Sequence, residues 1–102
     1  MKLGALIATH DDALYSELRP PVNELDFEVT LTTDDAGTLL SIVSAIPGLL
    51  LLDEALPGTS GLELCSKLRR NQLLADIPTI IITSGPLSAD RVAALNAGAD
   101  DS

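Results

Sequence analysis

The sequence predicts an α/β fold built on a doubly wound parallel sheet, and three observations carry that expectation. Short apolar runs alternate four times with segments of helical periodicity, the order expected of a parallel sheet with helices on both faces joined by right-handed crossovers. The run at 49–52 is apolar throughout and the run at 79–82 is apolar after Thr79, as expected of strands covered on both faces. Three of the runs end abruptly in polar residues: His10 with Asp11, Asp53, and Thr83. The chain of 102 residues, 46% of them hydrophobic and 21% charged, is the right size for one domain with a single core.

Residues 3–9 read as the first strand, stopping at His10, Asp11 and Asp12. Asp12 is positioned to cap a helix running through Arg19. Pro20 and Pro21 follow, and each proline removes a backbone donor and crowds the preceding turn. The first helix is therefore expected to be short, kinked, or restarted near Val22. Residues 27–32 alternate Phe, Val and Leu with Glu and Thr, a strand with one more polar face. Asp34 or Asp35 then caps a helix carrying Leu39, Leu40, Ile42 and Val43, which Pro47 and Gly48 end.

The third strand, residues 49–52, shows no alternation and runs straight into Asp53. Pro57, Gly58 and Thr59 make a loop, and Ser60 caps the next helix. There Leu62, Cys65 and Leu68 recur at helical spacing while Glu63, Lys67, Arg69 and Arg70 stay polar, so Cys65 reads as a core residue. Pro78 opens the fourth strand, which ends in Thr83 and Ser84 before a turn at Gly85 and Pro86. A last helix is expected from about Ser88 to Gly98, a residue suited to a helix C-terminus.

Composition narrows the function. The formal charge of −9, from 15 acidic and 6 basic residues, repels nucleic acid phosphates and anionic lipid. Tyr15 and Phe27 are the aromatic residues, too few for a base-stacking platform. With one cysteine, Cys65, no internal disulfide forms, and no apolar run has the length or flanks of a signal peptide or membrane span. A reducing cytoplasm is the expected setting.

In open parallel sheets ligands bind beyond the C-terminal strand ends, so His10, Asp11, Asp53 and Thr83 are candidates to converge despite their separation in sequence. Carboxylates held together in a cleft favour a hard divalent cation such as magnesium, manganese or calcium. An Asp beside Mg²⁺ is a competent nucleophile toward phosphorus, because the metal neutralises the phosphoryl oxygens that would otherwise repel it. Thr83 would then donate a hydrogen bond to the transferred group. Taken singly, each residue has a plainer reading: Asp after a strand is a common turn former or helix cap, and a lone His10 is more often an edge residue than a zinc ligand.

The stretch 47–101, PGLLLLDEALPGTSGLELCSKLRRNQLLADIPTIIITSGPLSADRVAALNAGADD, resembles the receiver domains of two-component signalling in motif spacing and loop wording. That resemblance implies the flavodoxin-like receiver fold, with four βα units present of an expected five. It further implies that Asp53 is the phosphoacceptor, that Mg²⁺ is held by Asp11, Asp53 and the backbone carbonyl of Ala55, and that Thr83 follows the phosphate on activation. Pro57 and Gly58 match the loop after the acceptor. The implied partner is a sensor histidine kinase or phosphotransfer protein, with an output domain beyond Ser102 or a homodimer reading the signal; this segment itself would bind neither nucleic acid nor membrane.

The sequence departs from the family pattern at several points. Aligning ALIATHDD sets His10 and Asp11 where an acidic pair is usual, leaving Asp12 as a substitute ligand. Pro20 and Pro21 fall in the first helix, where receivers usually run an uninterrupted amphipathic helix. After GADD the family continues with an aromatic strand, a phosphate-pairing lysine and a fifth helix, whereas Ser102 is the last residue here, so the chain is expected to be a receiver stopping before its last strand and helix. Met1, directly ahead of the first strand, suits a receiver at the N-terminus of its protein. An alternative of the same fold is a pseudo-receiver, an interaction module that takes no phosphate, which His10 in the acidic pair motivates. A flavodoxin-like cofactor binder or small phosphatase is disfavoured, because the carboxylates of THDD would repel a cofactor phosphate. Catalysis beyond slow self-dephosphorylation is not expected.

Overall fold

The structure, a computed structural model, describes residues 2–83. Its elements run β1 (Gly4–Ala8), α1 (Asp12–Glu24), β2 (Glu28–Thr32), α2 (Asp35–Ser44), β3 (Leu49–Asp53), α3 (Gly61–Arg69) and β4 (Thr79–Ile82). All strand pairs are parallel, in the order β2-β1-β3-β4. The chain steps from β1 to β2 on one side and returns to β3 on the other, which puts the topological switch point of the sheet between β1 and β3. The predicted α/β class and the flavodoxin-like parallel order are both present; the helix expected from Ser88 to Gly98, with the turn at Gly85 and Pro86, lies outside the described residues.

Alternation along each strand sorts the core into two layers. Leu6, Ala8, Leu50, Leu52 and Ile81 face α2 and α3, meeting Ile42, Leu64, Cys65 and Leu68. Ala5, Ile7 and Leu51 face α1, meeting Val22 with Tyr15 and Leu18 beside it. The unbroken apolar runs in β1 and β3 therefore record strands covered on both sides. The edge strand β2 is covered less and keeps its alternation. Leu50, Leu52 and Ile81 are fully buried, and each such side chain stabilises the fold by about 1.5–3 kcal/mol relative to exposure. Cys65 lies in this core, as its helical spacing predicts.

Two expectations about α1 are corrected. The helix is one element of 13 residues that continues through Pro20 and Pro21, so it is neither short nor restarted near Val22. Both prolines lie on its exposed side, as do Ser16 and Glu17, whose carbonyls lose their partners, so water can satisfy those oxygens while buried Val22 holds the last turn to the sheet. The N-cap is Asp11, not Asp12: the Asp11 carboxylate accepts from the N–H groups of Ala13 at 3.0 Å and Leu14 at 3.2 Å. In α2, Asp34 is the cap, and of the apolar residues expected to be covered Ile42 is fully buried whereas Leu40 and Val43 stand about two-thirds exposed. That helix ends at Ser44, before Pro47 and Gly48.

Candidate functional site

The strands deliver their polar tips to one edge of the sheet. Asp53 is the last residue of β3, and Thr9 lies one step past the pair Ala8–Leu52, so the two are cross-strand neighbours over the switch point. Thr9 extends the ladder by donating its N–H to the Thr32 carbonyl at 2.9 Å, and it is buried. Its hydroxyl donates to Asp53 Oδ2 at 2.7 Å and accepts from the Asp11 N–H at 3.0 Å. The other Asp53 oxygen, Oδ1, accepts from the Ala55 N–H at 2.9 Å. Both oxygens of this half-buried carboxylate are thereby oriented, one by the neighbouring strand and one by its own loop.

A cleft of about 360 Å³ opens over that carboxylate, lined by His10, Asp11, Leu14, Asp53, Ala55, Ile82 and Thr83. The residues singled out from sequence, His10, Asp11, Asp53, Ala55 and Thr83, thus share one cavity. Asp12, first residue of α1, does not line it. The reading from sequence gave Thr9 no role. Its signal was slight: a polar residue closing an apolar run, in phase with Ile7 on the strand face that also carries Asp53.

The loop beyond Asp53 is clamped from a second direction. Asp35, at the start of α2, receives the Thr59 N–H at 3.0 Å and the Ala36 N–H at 2.8 Å, and its own N–H donates to the Pro57 carbonyl at 3.2 Å. The Thr59 hydroxyl, followed by the N–H groups of Thr59 and Ala36, holds the Asp35 carboxyl below its ordinary range. Gly58 has φ +91°, a backbone conformation that favours glycine, and a Cβ there would displace the Asp35 carboxylate from its clamp. Gly61 starts α3 with its Cα packed on the Asp53 backbone and its N–H donating to the Glu54 carbonyl at 3.1 Å.

Among the described residues, no group of three or more His, Cys, Asp or Glu side chains could hold a metal ion. The carboxylates lining the cleft are Asp11 and Asp53, beside the backbone of Ala55. That donor set fits Mg²⁺, which is commonly held by one or two carboxylates while keeping several of its waters, and does not fit an all-protein cage. Asp11 spends one carboxylate oxygen, Oδ1, on the helix cap.

Comparison with known proteins is consistent throughout. The family model described as "Response regulator receiver domain" matches residues 5–102. The phosphate regulon transcriptional regulatory protein PhoB of Pseudomonas aeruginosa is 47% identical over 60 residues, covering 59% of this chain and 26% of that protein. Response regulator MprA of Mycobacterium bovis is 35% identical over 101 residues, covering 99% of this chain and 43% of that protein. The chain therefore spans less than half the length of these relatives. Among solved structures, a CheY-like response regulator receiver domain protein from Methanospirillum hungatei superposes with a TM-score of 0.83 at 27% identity, over 99% of this chain and 79% of that one.

Proposed function

The chain belongs to the response regulator receiver domain family of two-component signalling, and on that premise we propose that Asp53 accepts a phosphoryl group from the phosphohistidine of a sensor histidine kinase or phosphotransfer protein. The observation that carries this reading is the position of Asp53: the tip of a central strand at the switch point, both oxygens oriented, in one cleft with Asp11, Ala55 and Thr83.

In the reaction a carboxylate oxygen of Asp53 attacks phosphorus, the nitrogen–phosphorus bond of the donor breaks, and its electron pair returns to the imidazole. Asp11, Asp53 and the Ala55 carbonyl would hold Mg²⁺, with His10, which also lines the cleft, as a further candidate; when bound, the ion neutralises phosphoryl oxygens that would otherwise repel the carboxylate. The Ala55 N–H holds the acceptor in its attacking rotamer. The Thr83 hydroxyl donates to the transferred group and moves with it, so the added charge biases the face beyond β4. The protein is then a stoichiometric acceptor in the cytoplasm, not an enzyme beyond slow self-dephosphorylation. The signal passes to an output domain beyond Ser102 or to a second copy of the chain, in keeping with relatives more than twice as long as the matched segment.

The test is the intact mass of the full-length protein after incubation with Mg²⁺ and acetyl phosphate, beside Asp53→Asn. A gain of one phosphoryl group that the variant lacks is the expected result. No gain in a folded wild-type protein overturns it and leaves a phosphate-independent interaction module of the same fold.

A further inference from the structure

We propose that Thr9 is a positioning residue that shortens the lifetime of the phosphorylated state, a role that rests on Asp53 being the acceptor. The carboxylate sits at the end of a chain of hydrogen bonds with a defined sense: the Asp11 N–H donates to the Thr9 oxygen at 3.0 Å, so the hydroxyl proton is left for Asp53 Oδ2 at 2.7 Å. Thr9 is 2% exposed, which shields this bond from competition with water, and its own N–H is tied to the Thr32 carbonyl at 2.9 Å. The donor therefore stays where it is whatever the acceptor carries.

A hydrogen bond from a neutral donor is stronger to a charged acceptor than to a neutral one. The ionised carboxylate is such an acceptor. Once phosphorylated, the same group is an acyl phosphate whose charge has moved onto the phosphoryl oxygens, and the Thr9 bond weakens whichever oxygen carries the phosphorus. In hydrolysis a water oxygen attacks phosphorus, the bond from phosphorus to the Asp53 oxygen breaks, and the electron pair stays on Asp53; the water proton leaves with phosphate or to solvent. Negative charge returns to the carboxylate as that bond breaks, so the Thr9 bond strengthens on the way to the transition state and speeds the step. Thr9 thereby favours the unphosphorylated form.

The test compares the decay of phosphorylated full-length wild type, Thr9→Val and Thr9→Ser by intact mass after the acetyl phosphate is removed. Valine keeps the shape of threonine and removes the hydroxyl; serine keeps the hydroxyl. The expected result is a half-life about threefold to tenfold longer for Thr9→Val, from loss of a bond to a developing charge, and a wild-type half-life for Thr9→Ser. Equal or faster decay in Thr9→Val overturns the role of Thr9 alone, as does Thr9→Ser decaying like the valine variant. If Thr9→Val does not fold, Thr9→Ala against Thr9→Ser makes the same comparison of hydroxyl present and absent. Wild type that takes up no phosphoryl group overturns the acceptor assignment and this inference with it.

Discussion

Replacing Gly61 with alanine should strain the fold and displace the backbone of Asp53, the proposed acceptor. A Cβ built at Gly61 lies 2.9 Å from both the Asp53 carbonyl carbon and the Glu54 Cα, and closer still to the Asp53 carbonyl oxygen. All three are backbone atoms, so relief requires that the end of β3 or the start of α3 move. Such overpacking costs about 1–3 kcal/mol. The lost backbone freedom of glycine in the unfolded chain offsets about 0.4–1 kcal/mol of that, leaving a net loss of about 1–2 kcal/mol. For a domain of this size the loss corresponds to a fall in Tm of about 4–16 °C. The assay is thermal and urea denaturation of Gly61→Ala beside Gly4→Ala, because nothing lies within 4 Å of a Cβ at Gly4 and that change should stabilise the fold by about 0.4–1 kcal/mol. Phosphoryl uptake from acetyl phosphate should also slow in Gly61→Ala, since the backbone that must shift carries Asp53. Wild-type stability and uptake in Gly61→Ala would refute the argument that this close approach sets the acceptor's position.

Asp11→Asn separates the helix cap made by Asp11 from its proposed part in holding Mg²⁺. Asparagine caps a helix about as well as aspartate, so stability should change by less than about 0.5 kcal/mol, while Mg²⁺ affinity measured by calorimetric titration should fall by about tenfold with the lost charge; unchanged affinity would mean that the side chain serves the cap alone. Asp35→Asn tests the loop clamp. Because the folded-state pKa of Asp35 is depressed, its stabilisation is present above the ordinary carboxylate range and is lost as the pH falls through the lowered value. Wild type should therefore be the more stable protein at neutral pH in urea denaturation, with the gap closing in acid, and a gap that widens in acid would contradict the assignment.

Much of this molecule was legible in its sequence. The runs at 49–52 and 79–82 fell where β3 and β4 lie, because interior strands of a parallel sheet are mostly apolar and that signal is local; the one polar residue, Thr79, is buried with its hydroxyl donating to the Ile77 carbonyl at 2.9 Å. Asp53 and Thr83 stood out because each breaks such a run at its C-terminal end, and both line the cleft at the sheet edge. The helix starts were nearly as plain, with Ser60 capping as read and Asp34 the cap of the two candidates Asp34 and Asp35.

Tertiary structure decided the rest. Whether Pro20 and Pro21 end α1 depends on whether water reaches the carbonyls they free, and only the docking of Val22 turns those carbonyls outward. Whether Asp11 or Asp12 caps the helix depends on where β1 releases the chain, a matter of backbone angles within one residue. The Thr9–Asp53 bond joins residues 44 positions apart. It exists because β1 and β3 pair in parallel with Ala8 opposite Leu52, and a slip of one residue would turn one of the two side chains to the other face. Local periodicity carries the strands and their polar tips; register alone sets which tip reaches which, and the chemistry of the site belongs to register.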